Sequence, residues 1–486
     1  MNKQAVSGVA WCVAAVWGLA GCASRSTYEA PPLVVPAGWA ASEAGAARPA
    51  PVATAAVSAA VSAASGVDAQ PAGLPVAGLT AWWRPLQDPQ LDQLMAMALA
   101  ANNSLSKATL AARRARLVAA QAESDQLPSV SAKVGSSATR TLGQDGTSVG
   151  HTSSLLASWE LDLWGRVSAL RDAAAFEAQA TEAERQAVAL SLTASVANAW
   201  WQVAYLNQRV STSDQSLAYA RQTLKLVDAQ HRAGANSGLE LAQAQQTVAA
   251  QEAAHTQWLR QLGEARNTLG LLVDGPPGAG SATRQVPEAT RLSEATLPEV
   301  PAGLPAELLT RRPDLRAAEL RLRRTLANGD ATRTAYYPTL SLTGQLYGAS
   351  SSLSNVLAHP QAILGAGLSL PFIQWRDMQR AANIAQVDYE SAVVGFRQSW
   401  YQALADVDNA LNARQHYDTQ GERLQAALEA AQRAERLAEA RYRAGSVALK
   451  TWLDAQETRR QTEINLAANR LNRLNAWVSL VQSLGG

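Results

Sequence analysis

The sequence predicts a mixed α+β fold, mostly long α-helices with four β-strands, built as two copies of one unit. Three observations carry that prediction. A Gly-marked turn occurs twice, at His231-Arg232-Ala233-Gly234 and at Tyr442-Arg443-Ala444-Gly445, so the second Gly follows the first by 211 positions. Helix-forming sequence runs far to either side of both turns without a Pro. Ahead of each long run, the apolar period drops from about four to two over a pair of segments, the change from helix to strand. An internal repeat seen this early constrains the fold strongly.

The 486 residues include 42 Lys+Arg against 40 Asp+Glu, a balance that argues against a nucleic-acid partner, for which a basic stripe is expected. Charged residues make up only 17% and there are only 3 Phe, which suits Ala-rich helices in close contact better than a Phe-filled core. Two Cys and five His are scattered, with no spacing that would bind zinc, so neither a metal nor a cofactor is expected.

Residues 1–21 read as a signal peptide: Lys3, then an apolar stretch from Val6 to Leu19 that is too short to span a membrane. The stretch ends in Leu19-Ala20-Gly21-Cys22, which resembles a bacterial lipobox. That resemblance implies cleavage before Cys22, lipid on its thiol and amine, and loss of Cys12 with the signal. Ala23 in place of Asp implies, by the same analogy, delivery to the outer membrane. Residues 22–80 are rich in Ala, Pro, Val, Ser and Gly with no period to bury, and read as a lipid-anchored tether, disordered or draped over the body.

The first copy is placed at 81–300. Asp88 is an N-cap and Pro89 the first helical position. Leu91, Leu94, Met95, Ala98, Leu105, Ala108, Ala112 and Ala115 keep a helical period up to Leu127-Pro128, where Pro removes a needed amide. Two alternating segments follow at about 128–142 and 151–164, with Val130, Ala132 and Val134 on one face and Ser131 and Lys133 on the other. Such alternation fits a transmembrane barrel strand and, equally, a half-buried hairpin of a soluble domain. From Arg166 a helix of roughly 65 residues, ~100 Å at 1.5 Å each, reaches the turn at 232–238. Val210, Leu217 and Leu224 give it a coiled-coil seam. A return helix ends near Val273, and a Pro- and Gly-bearing connector covers 274–304.

The second copy, 301–486, repeats the plan. A helix opens at Arg312-Pro313-Asp314 and stops at Tyr337-Pro338. Strands follow at about 338–349 and 361–373, then a helix to Arg443, a turn at 443–449 and a return helix to about Leu484. Four strands cannot close a barrel, and hydrocarbon does not tolerate an open sheet edge. If these strands span a membrane, several chains must each contribute four.

The ordered set Trp82-Trp83, Asp88-Pro89, Leu127-Pro128-Ser129, Trp159-Glu160-Leu161-Asp162-Leu163-Trp164-Gly165-Arg166, Arg311-Arg312-Pro313-Asp314-Leu315, Tyr337-Pro338 and the two Arg-Ala-Gly turns resembles the outer-membrane factors. Within these TolC-like channels it is closest in pattern to the lipidated NodT/OprM-type branch, from about Ala81 to Leu484. The resemblance implies a homotrimer whose twelve strands close one barrel in outer-membrane lipid and whose helices form a periplasmic α-barrel. It implies a passive duct for small molecules and drugs, fed by an inner-membrane pump of the RND type through a periplasmic adaptor.

Carried over residue by residue, Arg232, Gly234, Leu239, Arg443, Gly445 and Leu449 are the adaptor-docking tips. Asp454 takes the place of an inward carboxylate that closes the tunnel in relatives. Lys450, where OprM-type relatives carry a bulky apolar residue, lies one turn from Asp454, so a salt-bridged gate is expected in place of an apolar plug. Lys133, Glu160 and Asp162 are expected on the barrel lumen, the last two alternatively at the barrel–helix junction. Rival readings are a type I protein-secretion channel and a lipidated coiled-coil scaffold without a pore. An enzyme is not expected, because no phosphate loop, nucleophile elbow or His pair is present.

Overall fold

The computed structural model describes residues 25–36, 38–39, 82–140, 142–143, 145–275, 286–293, 297–301, 303 and 305–486. Cys22, the signal peptide, most of the tether and much of the connector lie outside them. In order, the elements are α1 (Pro89–Ala101), α2 (Asn103–Ser124), β1 (Ser129–Thr139), β2 (Ser148–Leu161), α3 (Arg166–Arg232), α4 (Gly238–Leu272), α5 (Leu308–Arg311), α6 (Pro313–Thr334), β3 (Thr339–Ser350), β4 (Gln361–Ser369), α7 (Trp375–Arg443) and α8 (Leu449–Leu484). The chain divides into two compact units, and the long helices α3 and α7 contribute to both.

The first unit comprises Met1–Leu33, Leu110–Ala183 and Arg316–Ser399. It holds one antiparallel sheet in the order β1-β2-β3-β4. The register settles which side chains share a face, since directly paired residues point the same way. Val130, Ala157, Gly344 and Leu364 form one such row, and Ala132, Leu155, Leu346 and Ala362 the next. Trp159, Leu342 and Ala366 form a third, and Leu161, Leu340 and Leu368 a fourth. One face is therefore apolar across all four strands and open to the surroundings, with Leu364 90% exposed. The opposite face carries Ser131, Lys133, Ser154, Ser158, Ser341, Thr343 and Gln345. β1 and β4 are the two edges. Helix contacts in this unit combine small and large side chains: Ala112, Ala169, Ala173 and Ala180 are buried, as are Leu320, Leu322 and Phe396.

The second unit comprises Val34–Thr109, Glu184–Leu315 and Trp400–Gly486. Trp, not Phe, fills its core: Trp83, Trp200, Trp201 and Trp477 pack with Leu91, Leu94, Met95, Leu206 and Val478. Asp88 caps α1, accepting from the amides of Gln90 at 3.0 Å and Leu91 at 3.1 Å, and its second oxygen accepts from Trp200 Nε1 at 3.1 Å. Arg312 is a further brace. Its guanidinium reaches Asp314 at 2.7 Å, Asp406 at 3.3 Å and the Ser483 carbonyl at 3.3 Å.

Two expectations need correction. The helix expected to run unbroken to Leu127 is interrupted at Asn102, whose side-chain oxygen caps α2 at Ser104 and Leu105 and whose amide donates to the Leu272 carbonyl at 3.0 Å. A residue that satisfies three backbone groups away from its own helix competes successfully with continuing that helix. The second and fourth strands stop at Leu161 and Ser369, short of the expected ends, because Asp162 turns to cap α3 and Pro371 starts a 3₁₀ turn. Of the two alternatives for the tether, disordered or draped over the body, its described residues take the second. In the first unit Ser26 binds Asp330 through its amide (2.9 Å) and hydroxyl (2.6 Å), and Arg25 pairs with Asp172. In the second, Trp39 is buried and donates to the Gly303 carbonyl at 3.0 Å, while Trp400 donates to the Val34 carbonyl at 3.1 Å.

Candidate functional site

Both helical turns are held by the same backbone device. Gly234 at φ 74° and Gly445 at φ 72° occupy the left-handed region that side-chain-bearing residues avoid. Behind them the Ala235 amide reaches the Gln230 carbonyl at 2.8 Å and the Ser446 amide the Arg441 carbonyl at 2.9 Å. These are Schellman closures, which satisfy carbonyls that a helix end otherwise leaves unpaired. After the first turn, Ser237 and Glu240 form a capping box that starts α4.

The two turns differ in what they show. Arg232 pairs with Asp228 at 2.7 Å and Arg443 with Glu439 at 2.7 Å, so each tip Arg lies back along its own helix yet stays largely solvated. Leu239, the second residue of α4, is 67% exposed, whereas Leu449, the first residue of α8, is 0% exposed. Leu449, expected among the surface residues of the tips, instead sits inside a small core with Val227, Ala244, Ala438, Tyr442 and Trp452. It supports the tip from within.

Tyr442, in the sequence only one residue of its turn, ties the two hairpins together. Its hydroxyl donates to Gln230 Oε1 at 2.9 Å and accepts from Asn236 Nδ2 at 3.3 Å, and Asn236 Nδ2 also donates to Gln230 Oε1 at 2.6 Å. Its ring stacks on Trp452 at 5.2 Å, and Tyr219 meets the same Trp edge-on at 6.3 Å. An aromatic three positions before a C-cap Gly was the available signal, but only the contact across 212 positions reveals its partner.

Lys450 Nζ lies 2.9 Å from both oxygens of Asp454. The pair is solvated, at 67% and 61% side-chain exposure. It lines a polar groove with Gln456 and Arg460 of α8 and Gln243 and Gln251 of α4. Further along α8, Arg459 bridges Glu435 at 2.6 Å and Glu463 at 2.9 Å. Burial pushes the Glu435 carboxyl up, Arg459 opposes that, and Glu439 and Glu463 add to it. Arg209 is buried over the Trp258 ring at 4.5 Å, and burial lowers its pKa.

In the sheet, Lys133 lies on the polar face opposite Ser154. Glu160 lies near the end of β2 on the same face as Lys133, paired with Ser341, and Asp162 follows the strand at the strand–helix junction. Glu160 holds Arg166 through two bonds of 2.9 and 2.7 Å, which raise the pKa of that guanidinium despite partial burial. Asp162 accepts from the Val167 amide at 2.9 Å and from the Ser168 amide at 2.8 Å, capping α3. Trp164 donates to the Pro338 carbonyl at 2.7 Å and meets Tyr337 edge-on at 5.4 Å.

Among the described residues no group of three or more His, Cys, Asp and Glu is arranged to hold a metal ion, and no helix is long and apolar enough to cross a membrane.

A family model described as outer membrane efflux protein matches residues 94–274 and 304–486. The chain is 33% identical over 417 residues to the pyoverdine export outer membrane protein OpmQ of Pseudomonas putida, covering 83% of this chain and 87% of that one. It is 29% identical to the outer membrane protein OprJ of Pseudomonas aeruginosa, over 100% and 97% of the two chains. A crystal structure of a membrane protein from Pseudomonas aeruginosa shares its fold at a TM-score of 0.80, with 27% identity over 96% of this chain and 100% of that one. Two tandem helix–strand–strand–helix repeats, a sheet with one apolar face, and these likenesses lead to one conclusion: the chain belongs to the outer membrane efflux protein family.

Proposed function

We propose that the chain is the outer-membrane duct of a tripartite efflux system, a homotrimer that passes small molecules outward and catalyses nothing itself. The observation that carries this is the sheet. Its apolar face runs unbroken across four strands, its other face is mostly polar with Leu156 and Ile363 among the polar residues, and both of its edges, β1 and β4, are open. In hydrocarbon such edges must pair, and a head-to-tail interface that closes gives a ring. The helices joined to those edges agree. α2, which leads into β1, exposes Leu110, Leu117 and Val118, and α7, which follows β4, exposes Ile384, Val387 and Val394. Each is an apolar stripe lacking a partner within one chain, and a neighbouring copy supplies it. Three copies give twelve strands, with Lys133 facing the lumen.

In this reading Arg232, Gly234, Leu239, Arg443 and Gly445 present the periplasmic tips to an adaptor, with Leu449 and Tyr442 as their internal support. The Lys450–Asp454 pair narrows the tunnel entrance, an inner-membrane pump of the RND type drives transport, and Cys22 carries the lipid anchor. The test is reconstitution of the purified, acylated chain into planar bilayers. Heat-modifiable trimers and a defined ionic conductance are expected. A monomeric rod that never conducts refutes the proposal.

A further inference from the structure

The two repeats end their strand pairs differently, at positions related by an offset of 210. In the first, Glu160 neutralises Arg166 and Asp162 caps the helix. In the second, Leu370 answers Glu160 at that offset but continues the apolar face of its strand, Phe372 answers Asp162 and Trp375 answers Gly165, while the Arg is kept as Arg376. Both carboxylates that serve the first junction are thus replaced by apolar groups at the second. Leu370, Phe372, Ile373 and Trp375 are all exposed, Ile373 to 73%. Arg376 has no carboxylate within ion-pair distance among the described residues, and its guanidinium lies 6.0 Å from the Trp375 ring centroid. The nearby Asp377 is engaged by Arg380 at 3.1 Å.

This apolar rim continues the open face of β4. Leu364 and Leu368 lie on that face and Leu370 follows in the same alternation, so the patch is contiguous with the surface that meets lipid. It also stands where the chain passes from strand to the long helix, at the edge of the hydrocarbon. Trp and Arg at such a boundary place the ring among headgroups and the guanidinium against phosphate.

We propose that this second junction is a docking surface for phospholipid of the periplasmic leaflet. Arg376 takes the headgroup phosphate, and Phe372, Ile373 and Trp375 lie against the upper acyl chains. The first junction lacks this capacity, because its Arg is already held by Glu160. One such site per chain fixes the height of the barrel in the membrane. The inference rests on the membrane-duct reading above.

Native mass spectrometry of the full-length assembly, titrated with a palmitoyl-oleoyl phosphatidylglycerol, provides the test. Wild type retains the lipid, and Arg376→Gln lowers retention about fivefold, the worth of one Arg near an anionic surface. Arg380→Gln, whose side chain is spoken for by Asp377, leaves it within twofold, an approximate bound for a solvated pair. Equal retention by wild type and Arg376→Gln overturns the proposal, and displacement of the lipid by millimolar inorganic phosphate reduces the site to a free-anion site and also overturns it. A spin label at Ile373→Cys in proteoliposomes reads the surface independently. More relaxation by oxygen than by an aqueous nickel chelate is expected. Protection from both means a neighbouring copy covers the patch, which refutes the lipid assignment. Conductance is measured on the same samples, so failure of the duct reading is distinguished from failure of this one.

Discussion

Substituting Tyr442→Phe probes the tie between the two hairpins with the least disturbance, since the ring that stacks on Trp452 at 5.2 Å is kept. What is lost is the bond donated to Gln230 Oε1 at 2.9 Å and the one accepted from Asn236 Nδ2 at 3.3 Å. Neither partner is stranded, because Asn236 still donates to Gln230 Oε1 at 2.6 Å. The cost is therefore that of ordinary neutral hydrogen bonds, ~1 kcal/mol, not that of a buried orphan. A loss of that size raises the population of locally opened tips about fivefold. Hydrogen exchange read by mass spectrometry on peptides spanning 226–240 and 438–452 measures it directly. Exchange at both tips speeds up together, while peptides around Trp200 and Trp477 do not change. If only the second tip changes, the hydroxyl does not couple the hairpins. If neither changes, the reasoning from geometry to local stability fails. Trp452→Ala supplies the upper bound: a fully buried aromatic of this core, worth about 3–5 kcal/mol, whose loss exposes both tips to exchange.

The remaining expectations follow from the same accounting of burial and charge. Lys450→Ala with Asp454→Ala removes a solvated pair and leaves thermal stability within about 0.5 kcal/mol, whereas single-channel conductance rises; unchanged conductance counts against the gate. Leu342→Arg and Thr343→Arg are neighbours on opposite faces of β3, so the first costs ~2–4 kcal/mol in lipid and abolishes heat-modifiable assembly while the second is tolerated. Arg312→Gln loses charge-assisted bonds to Asp314 and Asp406, about 1.5–3 kcal/mol, seen as earlier unfolding in urea. Burial pushes the Asp314 carboxyl up, but Arg312 outweighs it and holds the pKa below the ordinary 3.8. That contribution is present above the ordinary value and lost as pH falls through the depressed one, so the wild type destabilises on acidification and Arg312→Gln shows a shallower slope.

Much of this molecule is written in periodicity and punctuation, which are local. Pro128 and Pro338 end helices whatever surrounds them, because a missing amide proton is a property of the residue. Gly234 and Gly445 mark reversals for a similar reason, and the alternation of Val130, Ala132 and Val134 with Ser131 and Lys133 is visible without any partner strand. Repetition at an offset of 210 to 211 makes two hairpins and four strands legible in the sequence. Asn102 shows the limit. Its neighbours keep a helical period, and only the carbonyl of Leu272, brought near by folding, makes a break there favourable.

Tertiary structure alone decided how equivalent positions diverge. Leu449 answers Gly238 at the offset of 211 and is enclosed by Tyr442 and Trp452 together with Val227 and Ala244 of the other hairpin, because enclosure depends on what that partner brings. Glu160 is paired with Arg166, a contact that no local pattern announces, and its counterpart Leu370 leaves Arg376 unclaimed. Repeats set the backbone path through short-range propensity, which copies faithfully. Burial and pairing arise between distant segments, so two copies of one pattern can end in different chemistry.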